Sequence, residues 1–239
     1  MNKLAFIAAV LACAFIKDAM SSSFSGGYIG GQTGFVLSKT NTNITDAKAV
    51  DLANSNGVSS NMNKKSTGIL YGAFGGYGLT LNDLYYVGAE MSILSDTAKH
   101  NMNQSLTDSG NNAIYRITTT YKRGVAFGVS PRFGYIFGTN MIYAKPGVEF
   151  SKDKATAAIS VTPSNGTTQS ETVSATKRSI ALAPAIGYEK ELGSIRLRTE
   201  YTYNRGKKIA LNYNDAPVTK SGKVSYKDHR FAIGMAYKF

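Results

Sequence analysis

The C-terminal residues alternate strictly between two kinds of side chain. Every second residue back from the end is large and apolar or aromatic: Phe239, Tyr237, Met235, Ile233 and Phe231. The residues between them are small or charged. Because side chains of a β-strand point alternately to opposite faces, this pattern predicts a strand with one large apolar face and one small or charged face.

The same period of two returns in seven earlier segments, each about 10 residues long, as strands usually are. The eight predicted strands lie in YIGGQTGFVL, ILYGAFGGYGL, LYYVGAEMSIL, GVAFGVSPRFGYI, MIYAKPGVEF, SIALAPAIGYE, SIRLRTEYTY and the terminal FAIGMAYKF. Their connections alternate between short turns and long polar loops. The predicted long loops span about 38–66, 95–121, 152–177 and 205–224. An even strand number with this alternation predicts an all-β, eight-stranded antiparallel up-and-down transmembrane β-barrel.

Backbone hydrogen bonding explains why such strands would have to close into a barrel. In hydrocarbon, an open sheet edge leaves N–H and C=O groups unpaired, at a free-energy cost of several kcal/mol for each group. The alternative is a soluble β-sandwich or lipocalin-type barrel, in which the large apolar face would point inward. The opposite face is crowded with glycine and charge, and this composition favours the membrane barrel.

The N-terminus has the composition of a secretory signal. Lys3 supplies a short positive region, and the apolar run that follows continues to Ile16. We expect residues 1–21 to be removed and 22–239 to form the barrel. The sole cysteine, Cys13, could belong to a lipoprotein processing box, but the apolar run passes beyond it.

Several strand motifs resemble those of the OmpA-type eight-stranded barrel family, which includes opacity-like surface proteins. The stretch GAFGGYGLTLNDLYYVGAEMS, residues 72–92, resembles the second hairpin of that family. YIGGQTGF, PRFGY, IYAKPGV, RLRTEYTY and FAIGMAYKF resemble other strands, whereas the loops show no resemblance. The resemblance implies a location in the bacterial outer membrane. No counterpart of the family's peptidoglycan-binding domain follows the last strand, so we do not expect peptidoglycan anchoring.

The resemblance also gives a role to the chain's end and to certain charges. Alternating residues that finish on an aromatic look like the signal read by the bacterial barrel-assembly machinery, which implies that role for Phe231, Ile233, Met235, Tyr237 and Phe239. Glu90 matches the family's central luminal glutamate, Arg132 a position where the family has lysine, and Arg198 the family's arginine. Glu189 matches a second glutamate if the third turn is one residue shorter.

Alternation along the strands adds two charges, Lys145 and Glu200, to the same inner face. A barrel of eight strands is just wide enough to be filled by its own side chains, so inward charges need partners of opposite sign. One interpretation of the predicted luminal network is a static plug. The other is a switchable conductance gate.

Basic residues are frequent in this chain, which has a formal net charge of +12, and they cluster where the predicted long loops meet the strands. The clusters comprise Lys64, Lys65, Lys122, Arg123, Lys177, Arg178, Arg205, Lys207 and Lys208. Phosphates of lipid A would lie at that height, and Lys and Arg pair well with phosphate. The other interpretation is ordinary solvated charge. An exported chain makes an anionic membrane surface, rather than nucleic acid, the expected partner.

The sequence gives little support for catalysis. Its two histidines, His100 and His229, belong to no recognisable nucleophile–base motif or metal-ligand spacing. We therefore expect no enzyme activity, cofactor or metal. The predicted function is a structural and surface-display role of adhesin or antigen type, with a basic outer rim that binds lipopolysaccharide phosphates and loops that face a host or surface ligand. The alternative is a narrow or gated pore.

Overall fold

The computed structural model describes residues 24–44, 61–108, 113–163, 167–206, 209–213 and 220–239. The predicted signal, residues 1–21, lies outside these ranges. Within them the chain is all-β, and no helix there could cross a membrane.

The described residues form thirteen β-strands, all paired antiparallel. They are β1 (Gly26–Ile44), β2 (Asn61–Leu81), β3 (Tyr85–Asp96), β4 (Lys99–Asp108), β5 (Ala113–Lys122), β6 (Ala126–Phe137), β7 (Asn140–Lys145), β8 (Val148–Pro163), β9 (Gln169–Leu182), β10 (Ala185–Leu192), β11 (Ile195–Gly206), β12 (Ile209–Tyr213) and β13 (Lys220–Lys238).

Eight of these strands pair in a ring that returns to its start. The order is β1, β2, β3, β6, β7, β10, β11 and β13, and β13 pairs again with β1. The predicted antiparallel, all-β fold class is confirmed. The strand number differs from the predicted eight because several paths break in two. Pro146 lies between β7 and β8 and Pro184 between β9 and β10, where proline has no N–H for the ladder.

Tight turns join strands at the end of the ring that carries the C-terminus. Asn82 and Asp83 adopt φ of 51° and 56° between β2 and β3. Gly138 and Gly193, with φ of 63° and 66°, serve the turns after β6 and β10. Both central residues have positive φ in the Asn82–Asp83 turn, and only the glycine does in the other two; hairpin turns that match strand twist use either geometry.

Two of the regions predicted as long loops, 95–121 and 152–177, are largely strand, which corrects that part of the sequence analysis. β4 and β5 occupy most of 95–121, β8 and β9 cover most of 152–177, and β12 lies within 205–224. Beyond the apolar part of each strand the hydrophobic period of two disappears. Runs such as Thr118–Thr120 still favour extended backbone, so pairing continues without the pattern that predicts it.

The large apolar face points outward and the glycine-rich face points inward. Ile29 and Ile233 are 61% and 62% exposed, whereas the inward Tyr28 and Phe74 are 2% and 3% exposed. Gly30 allows close packing on this face, because a Cβ there would lie 2.3 Å from the Met235 carbonyl oxygen and 2.6 Å from Cζ of the Phe74 ring. This arrangement agrees with a membrane barrel and differs from the soluble alternative.

Candidate functional sites in the lumen and at the outer rim

The inner face carries a central network made of all six predicted luminal charges: Glu90, Arg132, Lys145, Glu189, Arg198 and Glu200. Glu90 lies at its middle. Its Oε1 accepts a hydrogen bond from Lys145 Nζ at 2.7 Å, and its Oε2 accepts one from Arg198 Nη1 at 2.8 Å. Lys145 Nζ is also 2.7 Å from Glu200 Oε2. The shared partners make the network continuous.

Arg132 is fully buried and surrounded by tyrosine rings. Its guanidinium pairs with Glu189 and lies 3.7 Å from the centre of the Tyr143 ring. The rings of Tyr28 and Tyr86 are 5.7 Å and 5.4 Å away. Aromatic faces attract a desolvated cation, so the rings stabilise a charge that would otherwise be costly to bury. The sequence pattern alone assigns these tyrosines no role, although alternation places them on the inner face.

The network continues toward the end with the tight turns through residues that the sequence analysis did not select. Arg196 Nε lies 3.3 Å from Glu191 Oε2 and 3.7 Å from Glu189 Oε1. Lys238 Nζ is 3.3 Å from Glu191 Oε1. Arg196 lies two residues before Arg198 on the same strand, so the alternation that selected one could have selected the other.

A second group, the outer network, comprises Arg123, Glu149, Asn204, Asp228 and Arg230. Glu149 Oε2 accepts hydrogen bonds from Arg123 Nη2 at 2.5 Å and from Asn204 Nδ2 at 2.7 Å. Arg123 Nη1 also donates to Asp228 Oδ2 at 3.2 Å. The lumen therefore holds two groups of charges, one above the other.

Arg123 is a correction to the predicted lipid-phosphate cluster. Its side chain is 6% exposed and lies inside the lumen, so it cannot reach a lipid phosphate. It follows Lys122, which is exposed, and neighbouring residues of a strand point to opposite faces. A sequence cluster of two basic residues is thus divided between the inner and outer surfaces.

The other predicted basic residues separate in the same way. Lys64 and Lys177 are exposed, but each lies an even number of residues from the inward residues of its strand and therefore belongs to the inner face. Lys207 and Lys208 lie outside the described residues. Lys65, Lys122, Arg178 and Arg205 are exposed on the outer face.

These four belong to a larger set of outward cations, the basic rim, found on each of the eight strand paths. The basic rim comprises Lys39, Lys65, Lys99, Lys122, Lys152, Lys154, Arg178, Arg205 and Lys227. Many are direct cross-strand partners: Lys39 pairs with both Lys65 and Lys227. Like charges opposite one another repel. No carboxylate of the described residues forms an ion pair with the rim, so a bound anion would relieve this repulsion.

Little free volume remains between the luminal side chains of the described residues. A cavity of about 20 Å³ borders Lys145, Glu149 and Glu200, between the two networks. Another of about 10 Å³ borders Arg123 and Asp228. Each is about large enough for a single water molecule. The barrel interior is therefore filled by its own side chains.

The two histidines face opposite sides of the barrel wall. His100 is buried on the inner side, with its ring 5.9 Å from that of Tyr121. His229 lies on the outer side, where its Nδ1 is 2.7 Å from Tyr201 Oη. The described part of the chain contains no group of three or more His, Cys, Asp or Glu that could hold a metal ion.

The fold is similar to that of several solved structures. The outer membrane protease OmpT from Escherichia coli is 8% identical, with a TM-score of 0.50, covering 93% of this chain and 99% of its own. Neisserial surface protein A is 15% identical, with a TM-score of 0.41 and coverage of 90% and 98%. Ail of Yersinia pestis is 12% identical, with a TM-score of 0.35 and coverage of 89% and 99%. At this identity the likeness to OmpT concerns the fold alone.

No curated protein sequence matches this chain. The model of the family described as outer membrane protein beta-barrel domain does match, over residues 6–239. The chain therefore belongs to the outer membrane protein beta-barrel domain family, whose place is the bacterial outer membrane.

Proposed function

We propose that the protein is a non-enzymatic surface-display barrel whose basic rim binds lipopolysaccharide phosphates. The observation that supports this most is the position of the rim directly above the outward apolar face. On β1 the outward residue Leu37 is followed at the next outward position by Lys39. On β8 the outward residue Phe150 is followed in the same way by Lys152. Phosphates of the outer leaflet lie at this boundary between hydrocarbon and water. Lys and Arg are the residues that pair with them.

Strand pairing beyond the rim supports the display role. β8 and β9 stay paired from Lys152 and Arg178 to Val161 and Gln169, roughly 30 Å farther along at the usual rise per residue. β5 pairs with β8, and β4 with β5, in the same sheet. A paired sheet of this length presents a fixed surface away from the membrane, as an adhesin or antigen would need to contact a host or surface ligand.

The two histidines argue against a catalytic role. The His100 ring packs against Tyr121 and His229 Nδ1 lies 2.7 Å from Tyr201 Oη, so no contact of the described residues joins either histidine to a Ser, Thr or Cys nucleophile. A hydrolytic barrel needs a nucleophile with an adjacent base, most often histidine.

Replacing the four predicted cations on the outer face, Lys65, Lys122, Arg178 and Arg205, with Gln tests the lipid role. The lipopolysaccharide-dependent rise in melting temperature should fall, and melting in neutral detergent should change little. Raised salt should reduce the wild-type rise, since exposed charges are screened over about 8–10 Å at physiological ionic strength. The matched control replaces Lys64 and Lys177 with Gln, two exposed cations at the same level that follow the inward alternation of their strands. An unchanged lipopolysaccharide effect in the fourfold variant would reject the proposal.

A gated pore is the second candidate, and the sharing of Glu90 favours it. Glu90 contacts Lys145, Arg198 and Arg132, so its partners could exchange. Both networks would have to open for ions to pass. Conductance in planar bilayers decides between the candidates: the display role predicts no conductance from the wild type, and voltage-dependent single-channel steps would favour the pore.

A further inference from the structure

The outer face of β10, β11, β13 and β1 carries an apolar groove. It consists of two adjoining depressions of about 670 Å³ and 650 Å³. Both are bordered by Thr33, Tyr188, Thr199 and Ile233, so they form one continuous groove. Its borders lie on the face that the fold turns toward lipid.

Small outward residues create the groove. Thr33 and Thr199 stand on either side of Ile233 in one cross-strand row, where most outward positions of these strands carry large side chains. Gly31 adds bare backbone at the next outward position of β1. A Cβ placed there would meet only the Gly72 carbonyl oxygen, at 3.7 Å, so the space is open.

An aromatic cluster closes the groove on the side of the basic rim. The Phe231 ring lies 5.1 Å from that of Phe35 and 5.0 Å from that of Tyr201. His229 packs between Tyr201 and Tyr203, with ring distances of 6.1 Å and 5.3 Å. Aromatic side chains with a polar end favour the level where hydrocarbon meets the headgroups.

Three cations of the basic rim lie beyond this cluster on the same strands. Lys227 of β13 is the direct cross-strand partner of both Lys39 of β1 and Arg205 of β11. Arg205 is six residues from Thr199 on one strand, roughly 20 Å at the usual rise. Groove, aromatic cluster and cations therefore follow one another along the barrel axis.

We propose that this wall holds one lipid A molecule of the outer leaflet in a defined site, an inference that rests on the proposed function and deepens it. An acyl chain lies in the groove over Thr33 and Thr199. The sugar lies against Tyr201 and Tyr203, and a phosphate is bound by Lys39, Lys227 and Arg205. The charge complementarity is direct, because three cations with no carboxylate partner among the described residues meet one phosphate.

Native mass spectrometry of the full chain with bisphosphorylated lipid A as the probe tests the groove. Thr199→Phe fills its floor without touching a charge. Ala89→Phe is the matched control, since Ala89 is an outward small residue on β3, in the opposite wall. We expect Thr199→Phe to reduce occupancy severalfold and Ala89→Phe to leave it unchanged. Equal occupancy in both variants would overturn the groove assignment.

Two matched triple variants test the phosphate position. One replaces Lys39, Arg205 and Lys227 with Gln, and the other replaces three paired rim cations of the opposite wall with Gln. The second triple is Lys99, Lys122 and Lys154. We expect the first triple alone to weaken tight binding of one lipid A about tenfold or more, because charge-assisted hydrogen bonds are roughly twice as strong as neutral ones.

The outcomes separate this inference from the proposed function. If both triples weaken binding equally, the rim binds phosphate without a defined site, and the inference fails while the proposed function stands. If neither triple variant weakens binding, both the inference and the proposed function fail.

Probes that lack either the phosphates or the acyl chains show which parts of lipid A are recognised. Dephosphorylated lipid A, the deacylated phosphosugar and inorganic phosphate should all bind weakly. Tight binding of inorganic phosphate or the phosphosugar alone would overturn the lipid assignment.

Discussion

Arg230 Nη1 lies 2.8 Å from Oε1 and 2.9 Å from Oε2 of Glu149, although 81 residues separate the two in sequence. The contact joins β13, the last strand, to β8 across the lumen. Arg123 and Asn204 bind the same carboxylate from two further strand paths. A single side chain thus ties several walls of the barrel together above the central network.

Glu149→Gln should destabilise the barrel by about 3–5 kcal/mol, because it leaves the guanidinium groups of Arg123 and Arg230 short of countercharge in a buried site. Unfolding in urea, followed by the mobility shift of folded barrels, measures the effect. Asp83→Asn removes one carboxylate from an exposed turn and is the control. A loss no larger than that of the control would show that Glu149 does not hold the outer network together.

Glu90→Gln and Glu149→Gln should have nearly additive effects on the free energy of unfolding. The two carboxylates belong to different networks and share no hydrogen-bond partner among the described residues. Independent sites usually add within about 0.5 kcal/mol. The double variant in the same urea assay measures the coupling. An interaction energy well above that value would indicate one luminal network rather than two.

Gly30→Ala should destabilise the fold by about 1–3 kcal/mol through overpacking, because its Cβ would lie 2.3 Å from the Met235 carbonyl oxygen and 2.6 Å from the Phe74 ring. Displacing that ring also disturbs Arg198, whose guanidinium lies 3.3 Å from the ring centre. Gly31→Ala, one residue away and in open space, is the matched control. Unfolding in neutral detergent compares the two. A loss of stability no larger than that of Gly31→Ala would contradict the prediction.

Phe239→Ser should reduce insertion into the outer membrane, because it removes the last large residue of the alternating terminal set. All five members of that set are exposed on the outer face, and Phe239 is 73% exposed. Leu192→Ser, which removes a 50% exposed apolar side chain near the same end, is the control. The amount of heat-modifiable protein in outer-membrane fractions is measured. Equal amounts from both variants would argue against a terminal assembly signal.

The outer hairpin of β4 and β5 should lose stability as the pH falls below about 6.5, the ordinary pKa of histidine. His100 on β4 lies beyond the apolar face, and burial lowers its pKa, an effect that Asp96 opposes in part. Above about pH 6.5 the His100 imidazole is neutral in both the folded and the unfolded state, so stability does not change with pH. Below it the unfolded state binds the proton first, so folding is disfavoured. Hydrogen exchange of the hairpin, corrected for intrinsic rates, should quicken in wild type and not in His100→Gln. The same pH dependence in His100→Gln would assign the effect to another group.

Alternation predicted which residues of the apolar strands face the lumen, because one-sided burial imposes a period of two. Glu90, Arg132 and Arg198 could be selected in this way, and Arg196 and Glu149 follow the same rule. Charge clustering misplaces Arg123, because alternation along the strand puts it on the opposite face from Lys122. Proximity of two basic residues in sequence says little about where each side chain points when they are neighbours on a strand.

The strand extensions could not be predicted from hydrophobic periodicity. Beyond the rim most residues of β4, β5, β8 and β9 are polar or small, so no alternation marks them as strands. Backbone hydrogen bonds hold these segments together, and such bonds have almost no signature in composition. The groove was also invisible in the sequence, since Thr33 and Thr199 are 166 positions apart and become neighbours only through β13.

The filled lumen bears on how abundant this protein can be in a cell envelope. An open channel lets solutes leak in proportion to its copy number, which limits how densely it can be inserted. Under the display role, a barrel whose interior is occupied by its own ion pairs adds surface without adding permeability. Absence of conductance in planar bilayers would then mean that the envelope can carry many copies while the cell keeps its osmotic and antibiotic barrier.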